Sequence, residues 1–367
     1  MPEETTDQQS QEAELHPVIL ADETTLRDRD AFLRHCFVGL ADESSRATLL
    51  CPADVELGEV AAAPVEVIQY PPLMALGHWQ PILSPLIEKL EHVEPTILHC
   101  ASESKLRLTM HLSKVLDVPY IISANSTSGH IWKHCCRGKF GGVVTPSETI
   151  AGQIRKEMAG RADMVRCVKV GTFVSQKTAC FSSGGSLVTM VMVHPLDRPA
   201  DFEPVFSAVK HLSIDGMEMV VALIGSGKAD RKVRRLIIDL GLGNVINIVP
   251  DIRPLRQVFA GADIFIKPRV SSCFDFFLLD AMSEGMAVAG CKEDKEGLLV
   301  EGETAALFEE DNEVSIYTTL GNLLRERDYA RRLAIGGQDL LRSQYRVSGM
   351  VAETIVAYRQ AMARWRQ

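Results

Sequence analysis

Long apolar runs are missing from this chain. None approaches the roughly 20 consecutive residues needed to cross a bilayer, so contact with a membrane is expected to be peripheral at most. A positive balance is missing too: 39 Lys and Arg stand against 48 Asp and Glu, a formal net charge of -9. Such a surface disfavours a nucleic-acid backbone as partner, because that partner needs a basic face. A local basic pocket for a small phosphate stays compatible with it. No secretory signal opens the sequence, and the nine cysteines are scattered singly apart from Cys135-Cys136. Reduced thiols in a cytoplasm are the expectation. No G-x-G-x-x-G opens the first strand-helix unit, and GSGKAD after Ile224 lacks a third glycine. A dinucleotide oxidoreductase is therefore a poor reading. No short internal repeat is present.

What the chain does contain is alternation. Its 367 residues, 46% apolar and 24% charged, suffice for one or two domains with a sizeable core. Residues 1–15 are acidic, polar and aperiodic, and read as a disordered tail. From Pro17 onward short apolar runs alternate with helical spacing. Strands are expected at 17–21, 48–50, 65–68, 96–99, 120–122, 142–145 and 165–170, and helices at 31–40, 81–90, 105–116 and 148–158. Ser147 is placed to cap the last of these. Periodicity fails between Gly171 and Gly185, where small and polar residues accumulate as in a linker. A second series follows, with strands at 186–193, 219–224 and 244–249 and helices at 202–212, 228–240 and 255–260. The stretch 314–366 reads as helical, with a break near Gly336-Gly337. The spacing thus predicts an α/β chain of two Rossmann-like parallel-sheet domains, 16–171 and 186–345, joined by a linker at 172–185. A last helix at 346–367 follows them. Two such domains face across a cleft, and the cleft is the default ligand site.

The unit at 264–290, IFIKPRVSSCFDFFLLDAMSEGMAVAG, concentrates the candidate chemistry. It reads as strand, loop, a helix opening near Phe274, and strand, aiming loop amides and a helix N-terminus at one place. Phe276, Phe277, Leu279 and Met282 are expected to pack the helix on its own sheet. Asp280 stands where a carboxylate could meet a ribose. Upstream, Gly225-Ser226-Gly227 after a strand either brings amides to a phosphate or simply makes a tight turn. Lys228 beside it either reaches a diphosphate or starts a solvated helix. The basic KADRKVRR face at 228–235 reads most simply as solvated surface. His130, His134, Cys135 and Cys136 lie close in sequence but do not make a tetrahedral ligand set, and no second cluster completes one. No metal is expected.

The order of VVALIGSGKADRKVRRLIIDLGLGNVINIVPDI, VFAGADIFIKPRVSSCFDFFLLDAMSEGMAVAG and LLVEGETAALF resembles glycosyltransferases of the GT-B fold, family 4 in particular. The likeness runs from about Pro95 to the C-terminus and is strongest from Met219 to Phe308. It implies retaining transfer of a sugar from a nucleotide-sugar donor, the nucleotide sugar being substrate and no cofactor or Asp-x-Asp metal being needed. It also implies that the C-terminal helix packs back on the first domain. By the same resemblance Asp280 takes the ribose hydroxyls, in place of the usual Glu. Ser272 falls where a second carboxylate, eight positions earlier, meets the donor sugar, followed by Cys273 and Phe274. His194 or Arg198 takes the place of the Arg/Lys pair that steadies the leaving phosphates. His99 at a strand end, and Asn125 where a histidine is usual, would face the acceptor, which is a saccharide, a lipid or a small molecule. Because several charged positions are substituted, a catalytically degenerate relative acting in binding or scaffolding is the alternative.

Overall fold

The computed structural model describes residues 14–71, 80–127, 137–182, 184–185, 187–249, 252–292 and 297–365, with the backbone alone at 80–82. The expected tail thus lies outside the described residues except for Glu14 and Leu15. Leu15 is not loose: it is buried against the first lobe's core.

Two parallel sheets organise these residues. The first contains β1 (Pro17–Leu20), β2 (Thr48–Pro52), β3 (Glu66–Tyr70), β4 (Ile97–Cys100), β5 (Tyr120–Ser123), β6 (Phe140–Thr145) and β7 (Val165–Cys167), in the order β3-β2-β1-β4-β5-β6-β7. The helices that accompany it are α1 (Glu23–Asp28), α2 (Asp30–Asp42), α3 (Gln80–Val93), α4 (Leu106–Leu116) and α5 (Glu148–Glu157). The second contains β8 (Val188–Val193), β9 (Met219–Ile224), β10 (Ile246–Val249), β11 (Ile264–Lys267), β12 (Ala287–Cys291) and β13 (Ala306–Phe308), in the order β10-β9-β8-β11-β12-β13. Helices α6 (Glu203–Ile214), α7 (Asp230–Asp239), α8 (Leu255–Ala260), α9 (Phe276–Ser283), α10 (Glu313–Arg325), α11 (Arg327–Gln344) and α12 (Val347–Ala363) complete the chain. Continuous apolar runs such as IFIK and AVAGC suit strands covered on both faces, which is why they form the sheet centres. Ser147 caps α5 as expected, its hydroxyl accepting from the Ile150 N–H.

Each sheet has one place where neighbouring strands send their connections in opposite directions. These switch points lie between β1 and β4 and between β8 and β11. A crevice opens there at the carboxyl ends of the strands.

The segment between β7 and β8 leaves the first lobe and is then pinned on the second. The N–H groups of Ser175, Ala179 and Cys180 donate to the carbonyls of Ser283, Glu284 and Gly285, and the Phe181 N–H donates to the Asp263 carboxylate. Its polar composition hides a fixed path in which backbone groups find partners.

The break expected at Gly336-Gly337 is absent. Helix α11 runs through both glycines, and the interruptions fall at Glu326 and Tyr345 instead. A Cβ on Gly336 would stand 2.1 Å from the Glu303 carbonyl oxygen, so glycine there serves close approach rather than termination. Helix α12 returns to the first lobe. Tyr358 is buried in it, Arg364 donates to the Gly141 carbonyl at 2.7 Å, and the Trp365 indole donates to the Phe140 carbonyl at 3.2 Å. No described helix is long and apolar enough to cross a membrane. The seven described cysteines are free thiols.

Candidate functional site

The lobes meet along α1, α2 and α9. Phe276, expected to pack on its own sheet, instead inserts into the first lobe. Its ring lies 5.4 Å from that of Phe32, and the Arg29 guanidinium sits 5.0 Å over it. One apolar cluster runs unbroken from Leu20, Leu98 and Ile122 of the first lobe to Phe265, Phe274 and Leu279 of the second. A backbone seam adds to it. The Phe274 N–H donates to the Asn125 carbonyl at 2.8 Å, the Thr127 N–H donates to the Ser272 carbonyl at 2.9 Å, and Ser126 and Cys273 form an antiparallel bridge between them. Four of the candidates, Asn125, Ser272, Cys273 and Phe274, are thereby brought together. They meet through their backbones.

At the carboxyl ends of β8 and β9 a cavity of about 140 Å³ lies open between the lobes. Arg27 and Asp28 of α1 form one wall. Val193, His194 and Pro195 at the end of β8, Ile224, Gly225 and Ser226 at the end of β9, and Arg253 and Phe277 form the other. Ligand pockets run to roughly 300–1,000 Å³, so a whole nucleotide sugar needs the lobes to part. Gly225 and Gly227 are required by the chain's own path. A Cβ on either would stand 2.1 Å or 2.4 Å from the backbone of His194 or Leu196, which crosses beneath. Gly227 and Lys228 lie outside the cavity lining; Lys228 is exposed, and its N–H donates to the Asp197 carboxylate.

Asp280 is half-buried on α9 and faces the first lobe. Loss of water around its carboxyl pushes it up to about 7. The Arg256 guanidinium pulls against that rise, while Asp30, Glu59 and Glu284 add to it. Arg256 itself bridges the lobes: it donates to Glu284 at 2.8 Å, to the Phe173 carbonyl at 2.8 Å and to His35 Nε2 at 3.3 Å. An arginine can only donate, so His35 accepts at Nε2 and carries its proton on Nδ1. Burial first, then the Arg256 and Arg34 charges, drive His35 down to about 3.

Of the remaining candidates, His194 lines the cavity, while Arg198 and His99 lie elsewhere. Burial holds His194 below its usual value against the pull of Asp201 and Asp275, and its Nε2 lies 3.6 Å from Asp201. Arg198 points outward, its side chain 68% exposed and paired with Asp201 at 2.9 Å. His99 does not face the cleft. It lies under α12, with Nδ1 2.7 Å from the Tyr358 hydroxyl and Nε2 2.8 Å from the Ser123 hydroxyl, and burial lowers it to about 4. Strand alternation explains this: Leu98 and Cys100 take one face of β4 and His99 the other. Sequence patterning does not single out Arg27, Arg253 or Lys267, and it marks Asp275 only as an acidic side chain. A lysine ending the buried run IFIK was the available signal for Lys267. Asp275 caps α9, accepting from the Leu278 N–H at 3.0 Å, and lies 3.5 Å from Lys267 Nζ. One of the free N–H groups of the helix N-terminus is therefore already taken by its own chain. Among the described residues no three His, Cys, Asp or Glu are grouped to hold a metal. His130, His134, Cys135 and Cys136 lie outside those residues.

Residues 191–326 match the family model described as glycosyl transferases group 1. A comparison with curated protein sequences gave no match. Among solved structures, a glycosyltransferase from Rickettsia africae ESF-5 superposes with a TM-score of 0.73 at 10% identity, covering 95% of this chain and 99% of that one. Sucrose-phosphate synthase from Thermosynechococcus elongatus gives 0.73 at 14% identity, covering 95% and 100%. HepE from Anabaena, solved with UDP and glucose, gives 0.70 at 15% identity, covering 93% and 99%. At identities this low the structural likeness shows the fold alone.

Proposed function

Because the chain has the GT-B fold and its second lobe matches glycosyl transferases group 1, we propose that it transfers a sugar from a nucleotide-sugar donor held between the lobes. The observation that carries this is the cavity at the carboxyl ends of β8 and β9, which joins the turn at Gly225 and Ser226 to α1 of the facing lobe. Asp280 lies outside the lining of the closed cavity; once ionised, and once the lobes part, it accepts from the ribose hydroxyls. His194 lies beside the leaving phosphates. The acceptor, a saccharide, lipid or small-molecule hydroxyl, approaches from the first lobe. Transfer retains the anomeric configuration and uses no metal, the departing charge being met by side chains. The protein works in a cytoplasm with its thiols reduced. Incubation with a panel of nucleotide sugars is expected to release nucleoside diphosphate, with turnover surviving EDTA and the product's anomeric proton matching the donor's. Neither binding nor turnover across the panel would overturn the proposal.

A second reading, a donor-binding protein without turnover, is favoured by one observation. The loop and helix end that should meet the diphosphate are closed by Asp275 and by the seam to Asn125 and Thr127. Donor binding without release of nucleoside diphosphate would select it.

A further inference from the structure

An anionic donor needs positive charge, and the two places that offer it differ. Near the carboxyl ends of β8 and β11 stand Lys267 and Arg269, joined by Arg198. Lys267 lies 3.5 Å from Asp275, and Arg269 is 3.6 Å from Asp201, 3.2 Å from Glu310 and paired with Asp311. Three cations face four carboxylates there, an unfavourable setting for two more negative charges. Among the described residues, the interlobe cavity is lined by two guanidinium groups, those of Arg27 and Arg253, and by the Asp28 carboxylate.

The geometry of that trio is specific. Arg27 Nε donates to Asp28 Oδ1 at 2.8 Å, and Arg253 Nη2 donates to the same oxygen at 3.3 Å. One aspartate therefore holds two guanidinium groups side by side, one from each lobe. Arg253 is further oriented by Phe277, its guanidinium 5.8 Å from the ring centre. Its side chain is 18% exposed, so its charge is little screened by solvent, whereas that of Arg27 is 44% exposed. Guanidinium forks match the oxygens of a phosphate two at a time. His194, half-buried and held below its usual pKa, lines the same cavity without adding charge at neutral pH.

We propose, on the reading that the cleft takes a nucleotide sugar, that Arg27 and Arg253 grip the phosphates of the donor, one arginine from each lobe, with Asp28 as the counter-ion they share. The positive charge expected after β8 has moved to α1 and to the segment following β10. Because the two arginines belong to different lobes, gripping one phosphate also draws the lobes together.

The test uses the full-length protein and UDP, ADP and GDP, followed by calorimetry at several salt concentrations. Arg27→Gln and Arg253→Gln are each expected to weaken nucleoside-diphosphate binding about tenfold or more and to flatten its salt dependence. Asp28→Asn, which keeps a hydrogen-bonding group but removes the competing charge, is expected to strengthen binding several-fold. Arg234→Gln, on the exposed face of α7, controls for net charge. If both arginine variants fold and bind as the parent does, the phosphates lie elsewhere: the inference falls while the donor reading stands. If neither the parent nor Asp28→Asn binds any of the three, both fall. Should Arg253→Gln fail to fold, the opposite shifts expected of Arg27→Gln and Asp28→Asn still decide.

Discussion

Asp280 shows how much one side chain's surroundings settle. The sequence placed a carboxylate on the helix; the pH range over which it is charged depends on Asp30, Glu59, Glu284 and Arg256, three of which come from distant parts of the chain. With its carboxyl pushed up to about 7, donor affinity is expected to rise as pH passes through 7, and Asp280→Asn is expected to flatten that rise in a titration from pH 6 to 8. Stability has its own pH dependence. His99 and His35 fall from 6.5 to about 4 and about 3, so their stabilisation is complete above 6.5 and is lost as pH falls through the lower values. Asp280 acts the other way: raised from 3.8, its contribution is present below that value and is lost as pH rises through about 7. Two histidines outweigh one aspartate, so the urea midpoint is expected to drop from pH 7.5 to pH 4.5. In Asp280→Asn the drop is expected to be larger. Sequence alone gave His99 a strand end; the far face of β4 decided what it touches.

At the scale of elements, periodicity was a good guide to where strands and helices lie and a poor one to why particular glycines occur. Gly336 and Gly152 both sit inside helices. Alanine at Gly152 meets nothing within 4 Å, and Gly152→Ala is expected to stabilise by about 1 kcal/mol through helix propensity. Alanine at Gly336 would gain the same propensity but places its Cβ 2.1 Å from a backbone oxygen. Steric cost wins, and a net loss of about 1–3 kcal/mol is expected. Urea denaturation of the pair checks both signs. The capping of α9 was likewise not read from sequence, although Asp275 stands in the right place. Asp275→Ala is expected to cost about 1 kcal/mol of stability from the lost cap. Caps and close approaches involve neighbours that a hydrophobic pattern does not contain.

For the molecule as a whole, Phe276 is the link between element and assembly. A phenylalanine opening a helix is ordinarily spent on that helix's own sheet; here it spans two lobes, against Phe32 and under Arg29. Phe276→Ala is expected to cost about 3–5 kcal/mol. It is also expected to loosen the lobes, visible as a larger radius of gyration in solution scattering and faster amide exchange around Asn125–Thr127. Unchanged scattering and exchange would mean that the backbone seam and α12 suffice to hold the lobes.

Residue order by itself determined the two parallel sheets, their rough boundaries and the strand-loop-helix unit that carries Asp280. Those features follow from local periods of two and 3.6 residues, which every short window of the chain records. The tertiary structure alone decided that His99 faces α12, that loop amides from one lobe are bound by the other, and that the cavity's positive charge comes from Arg27 and Arg253. Each of these joins residues scores to hundreds of positions apart, and no local pattern encodes a contact whose partner lies beyond its window.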